Sequence, residues 1–365
     1  MTATPPNPDG LPRTRQTGAF ERRVRVALGS MLPARAPTVV ACSGGADSTA
    51  ALVAVARVRA GLGPVAAAHF DHGLRPAEEA ELDRAAVESL ARRLGVCFLH
   101  GVASGGEGGD ARAGSEAASR ASRYRWLAQA CAEAGAAHCV TGHTLDDQAE
   151  TVLLRLTRGA GTLGAASMAL ESGWPVPGQG RALRLLRPLL GVRRAEACAY
   201  VAALGIEPRV DPSNTQITFD RNRVRRRVLP ELRAVNPRVD EALARFASLA
   251  RRDEEALEAW ATREAQAIAR VTAVEVALGR RALLALPEAV ASRVLRMTAA
   301  HVDVILDANQ IAGLLRIARR RGARLALRGG DASVEGEDLV IRRRPLVQER
   351  EAGSPGRVLD SFPVQ

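Results

Sequence analysis

The chain has 365 residues, 47% of them hydrophobic and only 3% aromatic, with a formal net charge of +11. That length suits two domains around cores of Ala, Leu and Val, and the basic excess draws a polyanion, most often nucleic acid. All 51 basic residues are arginine, which excludes a Schiff-base or phosphate-loop lysine and favours bidentate grips on phosphate.

The leader "MTATPPNPDGLPRTRQTG" has no apolar core, so it is not read as a secretory signal; its Pro and Thr content reads as disordered over 1–22. Thr38–Cys42 reads as a buried strand, and Ser48 to Ala60 as a helix. Val65–Phe70 is a second strand. "PAEEAELDRAAVESLARRLG" is a helix, with acids early, arginines late and Gly95 at its end. "VCFLHGVA" gives a third strand, and the polar, glycine-rich "SGGEGGDARAG" a mobile loop. A helix over "SEAASRASRYRWLAQACAEAG", a strand over "AHCVTG" and a helix over "TLDDQAETVLLRLTRG" follow. This alternation predicts an α/β fold: a parallel sheet with helices on both faces and ligands at the strands' carboxyl ends. "GWPVPGQG" reads as a hairpin tip, and "LRLLRPLLGVRRAEACAYVAALGIE" as a short strand and a helix. A long helix from about Arg238 to Arg270 opens a mainly helical region that closes with strand-like "ARLALRGG" and "EDLVIRR". The expected domains are 23–235 and 236–345, with a loose tail over 346–365. No run is apolar enough to span a membrane. Cys42, Cys97, Cys131, Cys139 and Cys198 form no C-x-x-C pair and read as buried free thiols in the reducing compartment of a cytoplasmic protein.

The stretch "ACSGGADSTAAL" carries the first chemical signal. It fits neither G-x-x-x-x-G-K-[ST] nor G-x-G-x-x-G. A strand, two glycines and a helix start offer bare amides and a positive dipole end to an anion. Ser43 and Ser48 can donate to phosphate oxygens. Asp47 would repel a phosphate and makes best sense holding Mg²⁺ beside it. Alone, the stretch also fits a tight turn with a capping serine. In "GHTLDDQAET", Asp146, Asp147 and Glu150 share one helix face, which suits Mg²⁺ binding or proton removal, or simply acids at a helix N-terminus. In "HFDHGLR" a His-Asp-His set invites a zinc reading, which lacks further ligands nearby. "DRNRVRRRVLP" packs Arg221, Arg223, Arg225, Arg226 and Arg227 into seven residues, fit for phosphate contacts or a solvated face. Arg316, Arg319, Arg320, Arg321 and Arg324 extend the basic surface.

The S-G-G-x-D-S pattern resembles the pyrophosphate-binding loop of the ATP-pyrophosphatase (PP-loop, adenine nucleotide alpha hydrolase-like) family. With "HFDHGLR", "RASRYRWL", "GHTLDDQAETVLLRLTRGAG", "LLRPLLGVRRAE" and "DPSN…FDRNRVRRRVLPELR" in that order, the chain resembles the tRNA(Ile)-lysidine synthase family over roughly residues 38–236. The resemblance implies a PP-loop domain followed by a tRNA-binding domain, with ATP and Mg²⁺ as cofactors. It implies ligation of free L-lysine to C2 of the wobble cytidine in the CAU-anticodon isoleucine tRNA, through an adenylated cytidine, changing codon reading from AUG to AUA. A homodimer is compatible with it.

Carried over position by position, the resemblance implies that Ser43, Gly44, Gly45, Ala46, Asp47, Ser48 and His69 bind ATP or pyrophosphate. It makes Asp47, Arg123, His143, Asp147 and Glu150 catalytic, with Asp47, Asp147 and Glu150 on Mg²⁺. Arg120 shares a helix face with Arg123. Asp211, Asn214, Arg221, Asn222 and Arg225 fall at the lysine and tRNA end. Lysine's ammonium must lose a proton before attack, and Asp147 is a candidate acceptor. Ala46 departs from the family pattern, where many members carry lysine. A tRNA 2-thiocytidine-type enzyme is disfavoured by the missing paired cysteines. A small-metabolite synthetase is disfavoured by the basic charge, and a non-catalytic RNA-binding protein by the intact Ser43, Asp47, Ser48, Asp147 and Glu150.

Overall fold

The structure, a computed structural model, describes residues 9–103, 116–176, 182–209 and 220–344. It divides into two compact units, Met1–Ala250 and Arg251–Gln365.

In the first unit, β1 (Thr38–Ala41), β2 (Val65–Asp71), β3 (Cys97–Val102), β4 (His138–Val140), β5 (Glu171–Gly173) and β6 (Arg184–Leu186) form one sheet in the order β3-β2-β1-β4-β6-β5. All pairs are parallel except β5 with β6, the hairpin expected around "GWPVPGQG", whose residues 177–181 lie outside the described ones. The chain moves outward from β1 to β3, then returns to the other side of β1 with β4. The resulting crevice lies at the carboxyl ends of β1 and β4, where such sheets bind ligands.

Because side chains alternate along a strand, β1 serves two cores. Val40 joins α2 (Ala46–Arg59), and Val39 joins Tyr124, Leu127 and Cys131 of α4 (Glu116–Glu133). Helix α2 is buried from Thr49 to Arg59, so it is apolar nearly all round rather than amphipathic. Against it lie α1 (Arg15–Leu28), α3 (Ala77–Leu94) and α7 (Arg194–Ala203), through Phe20, Val24, Val87, Ala197 and Tyr200. Helix α5 (Leu145–Thr157) follows β4, and α6 (Thr162–Ala165) precedes β5. The chain then runs through α8 (Asp220–Arg223), a π-helical stretch Val224–Val228, α9 (Leu229–Val235) and the start of α10 (Val239–Ile268). Ala149, Val224, Leu229 and Leu243 seat this stretch on α5.

The disordered leader expected over 1–22 is corrected for residues 9–22. Thr14 and Thr17 form a capping box that starts α1, and Leu11, Thr17 and Phe20 are buried. The segment is pinned by Arg57, whose side chain is 3% exposed. Arg57 donates to Asp9 at 2.7 Å, to Glu21 at 2.8 Å and to the Leu11 carbonyl at 2.9 Å. Tyr200 adds a 3.0 Å hydrogen bond to Glu21. Removing one partner of a buried ion network strands the others. Arg57→Ala should therefore cost roughly 3 kcal/mol in urea unfolding; a cost below about 1 kcal/mol would mean the anchor is only a surface contact.

The second unit holds β7 (Ala269–Val271), β8 (Glu275–Gly279), α11 (Arg280–Ala285), α12 (Glu288–Ala300), α13 (Ala308–Ile317), β9 (Arg324–Leu327), β10 (Gly330–Glu335) and β11 (Asp338–Arg343). Its strands form an antiparallel sheet in the order β7-β8-β11-β10-β9. The core joins Leu278, Val334 and Ile341 to Val294, Leu295 and Leu314 of α12 and α13. The region is mainly helical, as expected, with its helices packed on a five-stranded sheet. "ARLALRGG" and "EDLVIRR" are strands as expected, while β7, β8 and β10 are additional. The unit division falls inside α10, beyond the boundary expected at 235/236. No described helix is long and apolar enough to cross a membrane. Of the five cysteines expected to be buried, the structure buries Cys42, Cys131 and Cys139 but exposes Cys97 and Cys198.

Candidate active site

The first wall is the turn from β1 into α2. Gly44 has φ +87°, and a Cβ there would meet the Arg209 side chain at 3.4 Å. The Arg209 amide donates to the Gly44 carbonyl at 2.9 Å. Helix α2 opens at Ala46, two residues before the expected start, with Gly45 at its cap and no side-chain capping bond. Its first amides have no intrahelical acceptors, an arrangement suited to an anion. Ser48 accepts from the Ser43 amide at 3.1 Å and donates to the Gly45 carbonyl at 2.9 Å. Its proton therefore orders the loop, and the hydroxyl of the exposed Ser43 pairs with the Ser48 hydroxyl at 3.2 Å. His69, buried at the end of β2, bonds through Nδ1 to the Cys42 carbonyl at 2.9 Å. Burial pushes its pKa down, so the neutral ring braces the strand that carries the loop.

The second wall is the turn from β4 into α5. A Cβ on Gly142 would lie 2.6 Å from the Asp47 carbonyl oxygen, so glycine lets the two walls meet. Thr144 caps α5, and Asp147 Oδ2 accepts from the Thr144 amide and hydroxyl, both at 2.8 Å.

Between the walls lies a charge cluster. Arg194, the first residue of α7, donates from Nε to Asp47 Oδ2 at 2.8 Å and from Nη2 to Asp147 Oδ1 at 2.9 Å. Its Nη1 stands 3.5 Å from Glu150 Oε1, and its backbone amide donates to Asp146 at 2.8 Å. Arg221 reaches Asp147 at 2.9 Å and Glu150 at 2.7 Å, and Arg225 reaches Glu150 at 2.6 Å. Glu150 is fully buried. Arg233 joins Asp146 to the buried Asp240. Burial works to raise the Asp147 pKa, but Arg194, Arg221, His143 and the Thr144 amide hold it well below the usual carboxylate range. Asp47 goes the other way: burial, with Asp147 and Asp146 nearby, raises it despite Arg194.

His143 meets the Thr141 hydroxyl at 2.8 Å. Burial pushes its pKa to about 3; Asp147 opposes the shift, and Arg187, Arg123 and Arg120 add to it. The ring is neutral at physiological pH. Because the unfolded histidine titrates near 6.5, the unfolded chain binds a proton first as pH falls. His143 therefore costs stability below about pH 6.5. His143→Gln should lose less stability than the parent between pH 6.5 and 4.5, a window above the one where Asp147 acts; equal slopes in urea unfolding would contradict this. Arg120 and Arg123 both stack over Tyr124, and Arg123 Nε is buried with no hydrogen-bond partner.

Asp47, His143, Asp147, Glu150, Arg221 and Arg225 thus come together, with Arg120 and Arg123 close enough to act on His143. Asn222 is buried beside them in sequence. Asp211 and Asn214 lie outside the described residues. Arg221 and Arg225 turn inward one helical step apart, while Arg223, Arg226 and Arg227 face solvent. Among the described residues no three His, Cys, Asp or Glu side chains are grouped to hold a metal ion between them, and Asp47, Asp147 and Glu150 are paired with arginines. Arginines and the Thr144 cap occupy the oxygens of Asp147 and Glu150. Asp47 fits a divalent ion: its Oδ1 is buried with no hydrogen-bond partner. Mg²⁺ commonly takes one or two carboxylates and completes its shell with phosphates and water. Sequence reasoning missed Arg194 and Arg209; the block "LLGVRRAE" held the first, but nothing local told which of its two arginines turns inward.

Residues 18–232 match the family described as a PP-loop domain, which sets the class of the fold and of the glycine turn. The fold is also that of the U34-tRNA thiolase NcsA from Methanococcus maripaludis, with a TM-score of 0.53 at 15% identity, covering 65% of this chain and 80% of that one. At 45% identity over 247 residues, the chain is similar to a tRNA(Ile)-lysidine synthase of Salinispora arenicola, covering 67% of this chain and 71% of the relative. A tRNA(Ile)-lysidine synthase of Thermobifida fusca is 41% identical over 299 residues, 81% of this chain and 83% of the relative. The chain belongs to the tRNA(Ile)-lysidine synthase family.

Proposed function

We propose that the protein makes lysidine on the CAU-anticodon isoleucine tRNA, using ATP and free L-lysine. The observation that carries this reading is the meeting of the glycine turn and the His143–Asp147–Glu150 wall at one crevice, in a chain of this family. The reaction has two steps. The cytidine O2 attacks the α-phosphorus of ATP and pyrophosphate leaves. The side-chain amine of lysine then attacks C2, AMP departs with the O2 oxygen, and the amine gives up its proton.

The amides opening α2 and the Ser43 hydroxyl receive pyrophosphate. Arg123, with its unpartnered Nε, stabilises charge on the α-phosphate. Neutral His143 is a hydrogen-bonding group there rather than a cation. Asp47 would hold Mg²⁺, which supplies charge neutralisation to the phosphates when bound. Asp147, held ionised far below lysine's pKa, is suited to attract the incoming ammonium and poorly suited to take its proton. Asp211 and Asn214 belong to the lysine end of this reading. The exposed Arg223, Arg226 and Arg227, and in the second unit Arg316, Arg319, Arg320 and Arg324, supply sequence-independent phosphate contacts. The protein acts in the cytoplasm, alone or as a homodimer.

Pyrophosphate release tests the first step. Release without lysine, stimulated by the CAU isoleucine transcript and not by initiator tRNA, is expected. RNA binding with no release would favour the non-catalytic reading.

A further inference from the structure

Asp47, Asp146, Asp147 and Glu150 face Arg194, Arg221, Arg225 and Arg233 in one network of ion pairs, which Arg233 extends to the buried Asp240. Of these arginines, Arg194 alone touches Asp47 among the described contacts. It also spans Asp147 and Glu150, so its three guanidinium nitrogens face three carboxylates from two walls of the crevice. Its backbone is fixed as well, because its amide donates to Asp146. The side chain is 26% exposed, so it reaches solvent from within the cluster. Asp47, by contrast, keeps one buried oxygen unused. A divalent ion entering on that oxygen would stand beside a guanidinium held 2.8 Å from the other oxygen of the same carboxylate. Two cations on one carboxylate in a partly buried site repel strongly.

We propose that Arg194 is the resident cation of this site: it keeps Asp47, Asp147 and Glu150 gathered, and it competes with the divalent ion for Asp47. Arg194 is a positioning residue, and it yields Asp47 when metal and nucleotide arrive together, its planar fork being matched to a phosphate as well as to a carboxylate. The Mg²⁺-site assignment to Asp47 made above underlies this inference.

The test is Mn²⁺ binding to the full chain without nucleotide, RNA or lysine, read from the electron paramagnetic resonance signal of free Mn²⁺. Arg194→Ala should bind Mn²⁺ at least about tenfold more tightly than the parent. Arg194→Lys, which keeps a charge and loses the fork, should fall between the two and reports on the competition if the alanine variant folds poorly. Arg233→Ala removes a charge from the same cluster without touching Asp47 and should change the affinity by less than about threefold. Adding Asp47→Asn to Arg194→Ala should abolish the gain. Unchanged or weaker binding by both Arg194 variants would overturn the proposal. So would an equal gain in Arg233→Ala, which would reduce the effect to bulk charge. With neither RNA nor lysine present, a failure here leaves the lysidine reading intact, and a failure of lysine transfer leaves this result standing.

Discussion

Replacing Glu150 with alanine should destabilise the protein by about 3 kcal/mol or more, read as a lower urea midpoint at unchanged slope. Glu150 is fully buried, and its two oxygens accept three hydrogen bonds from Arg221 and Arg225. Those arginines are 26% and 28% exposed, so they recover some hydration when the carboxylate goes, which places the cost at the low end for a broken buried pair. They also dock α8 and the π-helical stretch on α5, helped by Val224 and Leu229. Glu150→Gln keeps the shape and some of the hydrogen bonds while losing the charge, and should cost about half as much. A loss below about 1 kcal/mol for the alanine variant would mean that the arginines are held by other groups and that Glu150 is free for chemistry.

Gly142→Ala should cut ATP turnover by about a hundredfold or more, for a stability cost of only about 1–3 kcal/mol. The added Cβ would lie 2.6 Å from the Asp47 carbonyl oxygen and 2.9 Å from the Ser48 Cα. Both neighbours are backbone at the opening turn of α2, so neither can rotate away. The two walls of the crevice must part, and the glycine turn moves relative to His143 and Asp147. Gly173→Ala, on the edge strand β5 where nothing lies within 4 Å, should leave turnover unchanged. Turnover of Gly142→Ala within threefold of the parent would show that the close approach has no part in the chemistry.

The first unit was readable from sequence because its signals are local. Each parallel strand is a short apolar run closed by a turn, and α3 announces both ends through its acids, its arginines and Gly95. The glycine turn and the α5 carboxylates were legible for the same reason, since three or four residues set their geometry. What failed depends on distant partners. Arg194 meets Asp47 across 147 positions, and Arg57 meets Asp9 across 48. Nothing near either residue announces its partner, and the Pro and Thr content of the leader concealed the capping box that starts α1. Arg221 and Arg225 were placed in the site from the motif. Their engagement by Glu150 follows from inward-facing i, i+4 spacing that the crowd of neighbouring arginines obscured. In the second unit, β8 and β10 carry few β-branched residues; β10 pairs with β11 through a hairpin turning at Gly336, and β8 pairs with the other edge of β11 from far along the chain.

The most direct measurement is transfer of labelled L-lysine to purified isoleucine tRNA bearing CAU, with ATP and Mg²⁺, against initiator tRNA and the Asp47→Ala variant. Label entering the isoleucine tRNA alone, and none with the variant, is the expected result. ATP consumed and pyrophosphate released with no lysine in the RNA would contradict lysidine formation and leave an adenylating enzyme with another nucleophile.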